Sequence, residues 1–163
     1  MFVIQSTKKK TTEFNLRVYG LVINFENEIL LTDEYRMGQF MTKFPGGGLE
    51  KGEGTIDCLR REFKEETGLE ITDISHYYTT DFYQKGWYYA NMQLISIYYT
   101  AQLKQPGKLK ISSKPFDFDK ADKNPQSFRW EAITSIKPED LTFPIDQIVI
   151  KMLKGDLKKN YNG

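Results

Sequence analysis

GGLEKGEGTIDCLRREFKEETGL, residues 47–69, is the stretch on which the reading of the chain turns. Its second half places Glu62, Glu65 and Glu66 at spacings of three and four. On a helix, residues so spaced share a face. Like charges on one face repel, at a few tenths of a kcal/mol per pair, so the cluster needs a reason. A solvated glutamate-rich helix face is the ordinary alternative. Three features weigh against it: a glycine-rich loop comes just before, Glu53 adds a fourth carboxylate, and Arg61 directly precedes the cluster. A hard divalent cation such as Mg²⁺ would resolve the repulsion, because it takes oxygen ligands and pairs with substrate phosphates. It would also let the carboxylates hold a pyrophosphate that they would otherwise repel.

The flanks of the cluster fit this reading. KFPGGGLEKGEG (43–54) holds a proline and five glycines, which predicts a loop. TIDCLRREFKEET (55–67) reads as a helix, with Thr55 as its cap and Gly68 as its stop. Ile56, Leu59 and Phe63 form its apolar stripe, about a quarter turn from the glutamates. One side is thus free to be buried while the other faces a cleft. Cys58 reads as a small core residue on the same helix.

Working outward, FNLRVYGLVINFEN (14–27) and EILLTDEYR (28–36) are strand-like and joined by a turn at ENE. LEITDISHYYTTDFY (69–83) and YYANMQLISIYYTAQL (88–103) are two more strands, with QKGW between them. Residues 104–126 are polar and broken by Pro and Gly, which predicts a long loop. SFRWEAIT (127–134) is a short strand. A helix is expected over about 144–158, with Ile145, Ile148, Val149 and Met152 at helical spacing and a ragged tail after it. This order predicts an α/β (α+β) sandwich on a mixed sheet, as one domain over residues 1–163.

Composition narrows the classes. The chain has 163 residues, 39% of them hydrophobic, enough for one globular core. A net charge of +1 gives no broad field toward nucleic acid or an anionic membrane. No apolar run approaches the roughly 20 residues of a membrane span. The opening MFVIQSTKKK is too short in its apolar part, and wrongly charged, for a secretory signal. One cysteine excludes an internal disulfide framework, so a reducing, cytoplasmic setting is expected.

The stretch 47–69 also resembles the signature of the Nudix hydrolases. That pattern asks for Gly, Glu, Arg-Glu, a bulky apolar residue, Glu-Glu, Gly and an apolar residue at fixed spacing. Gly47, Glu53, Arg61, Glu62, Phe63, Glu65, Glu66, Gly68 and Leu69 satisfy every position. The lead-in FPGGGLE, and Trp130 in a late strand before a C-terminal helix, are similar to the family as well. The resemblance implies a Nudix fold, an α/β/α sandwich around a mixed sheet. It implies a pyrophosphohydrolase that cleaves the pyrophosphate linkage of a nucleoside diphosphate derivative with Mg²⁺ or Mn²⁺. Carried over by position, Glu62, Glu65, Glu66 and the Gly46 carbonyl would be metal ligands. Glu53 would support them, and Arg61 would hold a glutamate by a charge-assisted hydrogen bond.

Other roles stay open at this stage. The proton of the attacking water goes to a signature glutamate or to an acid of the 104–126 loop, with Asp119 and Asp122 as the candidates. Tyr83 and Trp87 are candidate stacking partners for a flat group, and strand-edge packing is the alternative. Arg36, Phe40 and Lys43 approach the glycine loop and are candidate phosphate or base contacts, with plain surface charge as the alternative. The partner expected is a small-molecule nucleotide; no DNA-binding module or membrane segment is visible, and a homodimer stays open. A catalytically silent domain that senses a nucleotide metabolite is the second hypothesis, and the full set of signature carboxylates speaks against it. His76 reads as structural.

Overall fold

The computed structural model describes residues 11–89 and 91–161; the opening MFVIQSTKKK, read above for a signal, lies outside them. The elements in chain order are β1 (Glu13–Val22), β2 (Glu28–Arg36), β3 (Gln39–Lys43), β4 (Gly46–Gly48), α1 (Thr55–Thr67), β5 (Ile71–Thr79), β6 (Gln84–Lys85), β7 (Met92–Leu103), β8 (Gln126–Ala132) and α2 (Pro144–Tyr161). One sheet runs β4-β1-β7-β5, with β6 also paired to β7; a second runs β3-β2-β8. β1 and β7 pair in parallel, from Glu13 opposite Met92 to Val22 opposite Ala101, and the other pairs are antiparallel. The first sheet is therefore mixed, as expected.

β1 shows why two helical layers form. Its last five residues, VYGLV at 18–22, are all buried, and no charged residue interrupts them. That is the pattern of a strand covered on both sides. Val18 and Val22 pack with Leu30, Leu59 and Phe63 into a core beneath α1. Tyr19 and Leu21 point the other way and join Ile29, Leu31, Ile145 and Val149 in a core beneath α2. Alternate residues of one strand thus feed two cores, and the result is a helix–sheet–helix sandwich.

Several local expectations are corrected. Gly46–Gly48, expected in a loop, forms β4 on the edge of β1. Glycines lack the side chains that mark a strand, so only tertiary pairing reveals it. Gln39–Lys43 is likewise a separate strand, folded back on β2. Thr55 is not the cap of α1. Gly54 takes that place without a side-chain cap, and the Thr55 hydroxyl shares a 2.6 Å hydrogen bond with the Tyr99 hydroxyl. Ile56 is 39% exposed, and Cys58, Leu59 and Phe63 make the buried face. Gly68 ends the helix as expected, in the left-handed region at φ 73°. In α2 the buried stripe is Ile145, Asp146, Val149, Ile150 and Leu153, while Ile148 and Met152 sit at its border. The helix runs on to Tyr161 rather than fraying near residue 158.

Gly20 sets the distance between β1 and α1. A Cβ there would lie 2.5 Å from Cε2 and 2.7 Å from Cζ of Phe63, a ring with no exposed surface of its own. We predict that Gly20→Ala, read by urea unfolding, destabilises the fold by about 1–3 kcal/mol, the usual cost of overpacking. An unchanged midpoint would mean that α1 is not seated on this glycine.

Candidate active site

α1 and β4 meet along one wall of a cavity of about 820 Å³. Gly46, Gly47, Gly48, Glu62, Glu65 and Glu66 form that wall. Gly47 leaves the Glu62 carboxyl group its place: a Cβ would lie 2.2 Å from it and push it aside. Gly46 is bound more tightly still. It has φ 135°, and a Cβ would lie 2.2 Å from the Val18 carbonyl oxygen, so only glycine brings this backbone to the site.

Arg61 spreads across the carboxylates. Its Nε donates to Glu53 Oε2 at 3.0 Å, and Nη2 donates to Glu53 Oε1 at 2.7 Å. Nη1 donates to Glu62 Oε1 at 3.0 Å and lies 3.5 Å from Glu65 Oε2. Nη2 also donates to the Gly48 carbonyl at 3.0 Å, which ties the helix to the glycine strand. These bonds, the one to Glu53 foremost, raise the Arg61 pKa, and the same bond holds the Glu53 carboxyl down at about 2. Glu53 also accepts the Glu50 amide at 2.8 Å. Both of its oxygens are thus engaged, which makes it the anchor of Arg61. Burial pushes the Cys58 thiol up to about 12, and Cys58 is a core residue as expected.

Lys43 lies inside the site. Its Nζ donates to the Gly46 carbonyl at 3.0 Å and sits 3.7 Å from Glu66 Oε1 and 3.8 Å from Glu34 Oε1. Burial lowers its pKa, but Glu66 and Glu34 outweigh that, and the net direction is up. Burial raises the Glu66 pKa, with Lys43 opposing; Glu66 also accepts the Gly46 amide at 3.3 Å. Among the described residues, no three Asp, Glu, His or Cys side chains converge as ligands of one ion. The carboxylates are turned instead to Arg61 and Lys43.

Arg17, Arg36 and Lys123 also line the cavity and give it a basic side. Arg36 and Lys43, both candidates from sequence, line the cavity. Asp119 and Asp122 do not line it; both are exposed, and Asp119 accepts the Ala121 amide at 2.9 Å. Phe40 packs with Tyr35, Phe116 and Phe118 instead, with Lys120 Nζ 4.4 Å above its ring. Trp87 lines a second, narrow cavity of about 60 Å³, edge-on to Phe143. Tyr83 is 60% exposed and lines neither cavity. His76 bonds Thr79 Oγ1 at 2.8 Å at a strand edge, in keeping with a structural role.

The two cavities share Arg17, Glu34, Arg36 and Lys43. Asp146 closes the narrow one. It is 1% exposed, its Oδ1 accepts the Tyr98 hydroxyl at 2.6 Å, and its Oδ2 has no partner. Arg17, Glu34 and Asp146 were not singled out from sequence. For Asp146 a signal existed: an acid inside the apolar stripe of a helix, between Ile145 and Val149. Arg17 and Glu34 sit in ordinary strand contexts and carry none.

A family model described as NUDIX domain matches residues 13–151. The chain belongs to the Nudix family. Over 55 residues it is 38% identical to an uncharacterized Nudix hydrolase, YvcI, of Bacillus subtilis (strain 168), covering 34% of each chain. Over 87 residues it is 30% identical to an RNA pyrophosphohydrolase of Bartonella bacilliformis, covering 47% of this chain and 51% of the relative. The matches thus span 34% and 51% of these curated relatives' lengths. Among solved structures, a Nudix hydrolase from Nitrosomonas europaea superposes with a TM-score of 0.62 at 19% identity, covering 86% of this chain and 89% of that one. A chain from a study of MutT of Aliivibrio salmonicida and Vibrio cholerae gives 0.57 at 21%, covering 88% and 98%. These structures share the Nudix fold.

Burial pushes the Asp146 carboxyl up to about 6, from an ordinary 3.8. The folded chain therefore holds a proton that the unfolded chain releases. The stability this gives is complete well below about pH 4 and is lost as pH rises through about 6. We predict that wild type loses roughly 2 kcal/mol relative to Asp146→Asn between pH 4 and pH 7, since each tenfold change in proton affinity is worth about 1.4 kcal/mol and part of the loss falls below pH 4. Chemical unfolding of both proteins across that range reads the difference. Parallel pH profiles would show that Asp146 does not titrate in this window.

Proposed function

We propose that the chain is a metal-dependent pyrophosphohydrolase that cleaves the pyrophosphate linkage of a nucleoside diphosphate derivative. The observation that supports it best is the make-up of one cavity: it holds carboxylates and a glycine carbonyl together with Arg17, Arg36 and Lys123. The donor set of Glu62, Glu65, Glu66 and the Gly46 carbonyl is all oxygen, which suits Mg²⁺ or Mn²⁺. The room left by Gly47 in front of the Glu62 carboxyl group fits the same use. A bound divalent ion would neutralise diphosphate charge and make a water more acidic.

The chain's own residues do the rest in this reading. Arg61 keeps Glu62 and Glu65 from turning away, through contacts at 3.0 and 3.5 Å. Arg17 and Arg36 take phosphate oxygens, for which a guanidinium has matching planar donors. One oxygen of Glu65 takes the proton from the attacking water, while the other stays in the donor set. Its side chain is 60% exposed, against 14% for Glu62 and 15% for Glu66, so it is the freest of the three to accept one. Asp119 and Asp122 give way to it because they lie off the cavity wall. The edge of a flat group enters toward Trp87, where the free Asp146 Oδ2 can accept an N–H. A small-molecule nucleotide partner and a cytoplasmic setting belong to the same reading.

The test is turnover with Mg²⁺ and with Mn²⁺ on a substrate panel. It comprises nucleoside triphosphates, nucleotide sugars, dinucleoside polyphosphates, NAD(H), coenzyme A and ADP-ribose. RNA with a 5′-terminal triphosphate joins it, because one relative is named an RNA pyrophosphohydrolase. At least one diphosphate linkage is expected to be cleaved, with Glu65→Gln slower by more than about 100-fold, the lower range for loss of a general base. A fully active Glu65→Gln removes that residue from the mechanism. No turnover on any member at high enzyme concentration sinks the hydrolase reading in favour of a nucleotide-binding one.

A further inference from the structure

Lys43 is placed unlike an ordinary phosphate-binding lysine. Its side chain is 3% exposed, and the Tyr19 ring centroid lies 5.8 Å from Nζ. Its ammonium donates to the Gly46 carbonyl and faces the carboxylates of Glu66 and Glu34. Two of these groups, Gly46 O and Glu66, belong to the donor set assigned above to a divalent ion. The third, Glu34, comes from β2, outside the signature stretch. An ammonium donates hydrogen bonds to the same oxygen lone pairs that a hard cation would take. Two cations drawn to one carbonyl oxygen, deep in a wall where water screens little, repel each other strongly.

We propose that Lys43 is a built-in cation that competes with a divalent ion for the edge of the site formed by Gly46 and Glu66. It thereby limits the number of divalent ions bound there, or their affinity. With the ammonium in place, a metal is left the Glu62 and Glu65 oxygens that Arg61 does not hold, and the inner edge is already neutralised. Glu34 has its part in this: from β2 it adds a second carboxylate to the ammonium and so helps to keep it on the carbonyl. The inference rests on the proposed metal-dependent reading of the carboxylates.

Counting free Mn²⁺ by electron paramagnetic resonance tests it on wild type, Lys43→Met and the double variant Lys43→Met/Glu66→Gln. Methionine keeps the long apolar stem and removes the charge. Lys43→Met is expected to bind one more Mn²⁺ than wild type, or to bind its ion about tenfold more tightly, and Glu66→Gln is expected to cancel the gain. Thermal unfolding gives a second readout: added Mn²⁺ should raise the melting temperature of Lys43→Met more than that of wild type, because tighter binding to the folded state stabilises it further. Should Lys43→Met fail to fold without metal, Lys43→Gln takes its place. Unchanged stoichiometry and affinity in a folded, uncharged variant would overturn the inference and leave Lys43 as a structural ion pair, with the hydrolase reading intact. No Mn²⁺ on wild type or on any variant would overturn both.

Discussion

Carboxylates gathered on one helix face must be held there against their own repulsion, and Arg61 is the group that holds them. It reaches Glu53, Glu62, Glu65 and the Gly48 carbonyl from one position on α1. Its planar fork is what allows this; a lysine in its place would present one point charge. The pairing with Glu53 does not act directly on the cavity. It fixes the guanidinium, so that the remaining donors are aimed at Glu62 and at the glycine strand. The glycines answer the same need from the other side, since Gly47 leaves space for the Glu62 carboxyl group and Gly46 brings a carbonyl to Lys43.

The helix that carries the site was legible because its signals are local. Spacing put the three glutamates on one face, Gly68 marked the end, and the glycine-rich run marked a close approach of backbone. The two-layer burial of β1 is written in VYGLV, where no charged residue alternates with the apolar ones. The misreadings share a physical cause. Gly46–Gly48 becomes a strand only because β1 offers it a partner. Thr55 does not cap α1 because its hydroxyl has Tyr99 to bond, a contact across 44 residues. Ile56 is apolar but faces out, because α1 is rotated to seat Leu59 and Phe63 over Gly20. Each depends on a neighbour distant in sequence.

The same limit applies to the site. Asp119 and Asp122 were plausible acids by composition, yet the 104–126 segment delivers Lys123 to the cavity instead. Its course is governed by the buried ion pair of Asp33 with Arg129 at 2.7 Å, with Asp33 also accepting the Phe116 amide at 3.4 Å. Phe116, Phe118 and Lys120 then pack around Phe40. A loop pinned at those residues brings Lys123, and not its neighbours Asp119 and Asp122, to the cavity.

Arg17, Glu34, Arg36 and Lys43 border both cavities, so the narrow pocket and the carboxylate wall form one connected surface. Arg17 shows how the two are coupled. Its Nε donates to the Tyr19 hydroxyl at 2.8 Å, and the Tyr19 ring stacks on Tyr98, whose own hydroxyl is bonded to Asp146. A group pushed against Asp146 therefore meets side chains packed in series back to the basic residues. The two rings in that series are not free to swing, because Tyr19 and Tyr98 are both buried. A ligand that spans the two cavities would then meet a preformed surface, set by two buried rings.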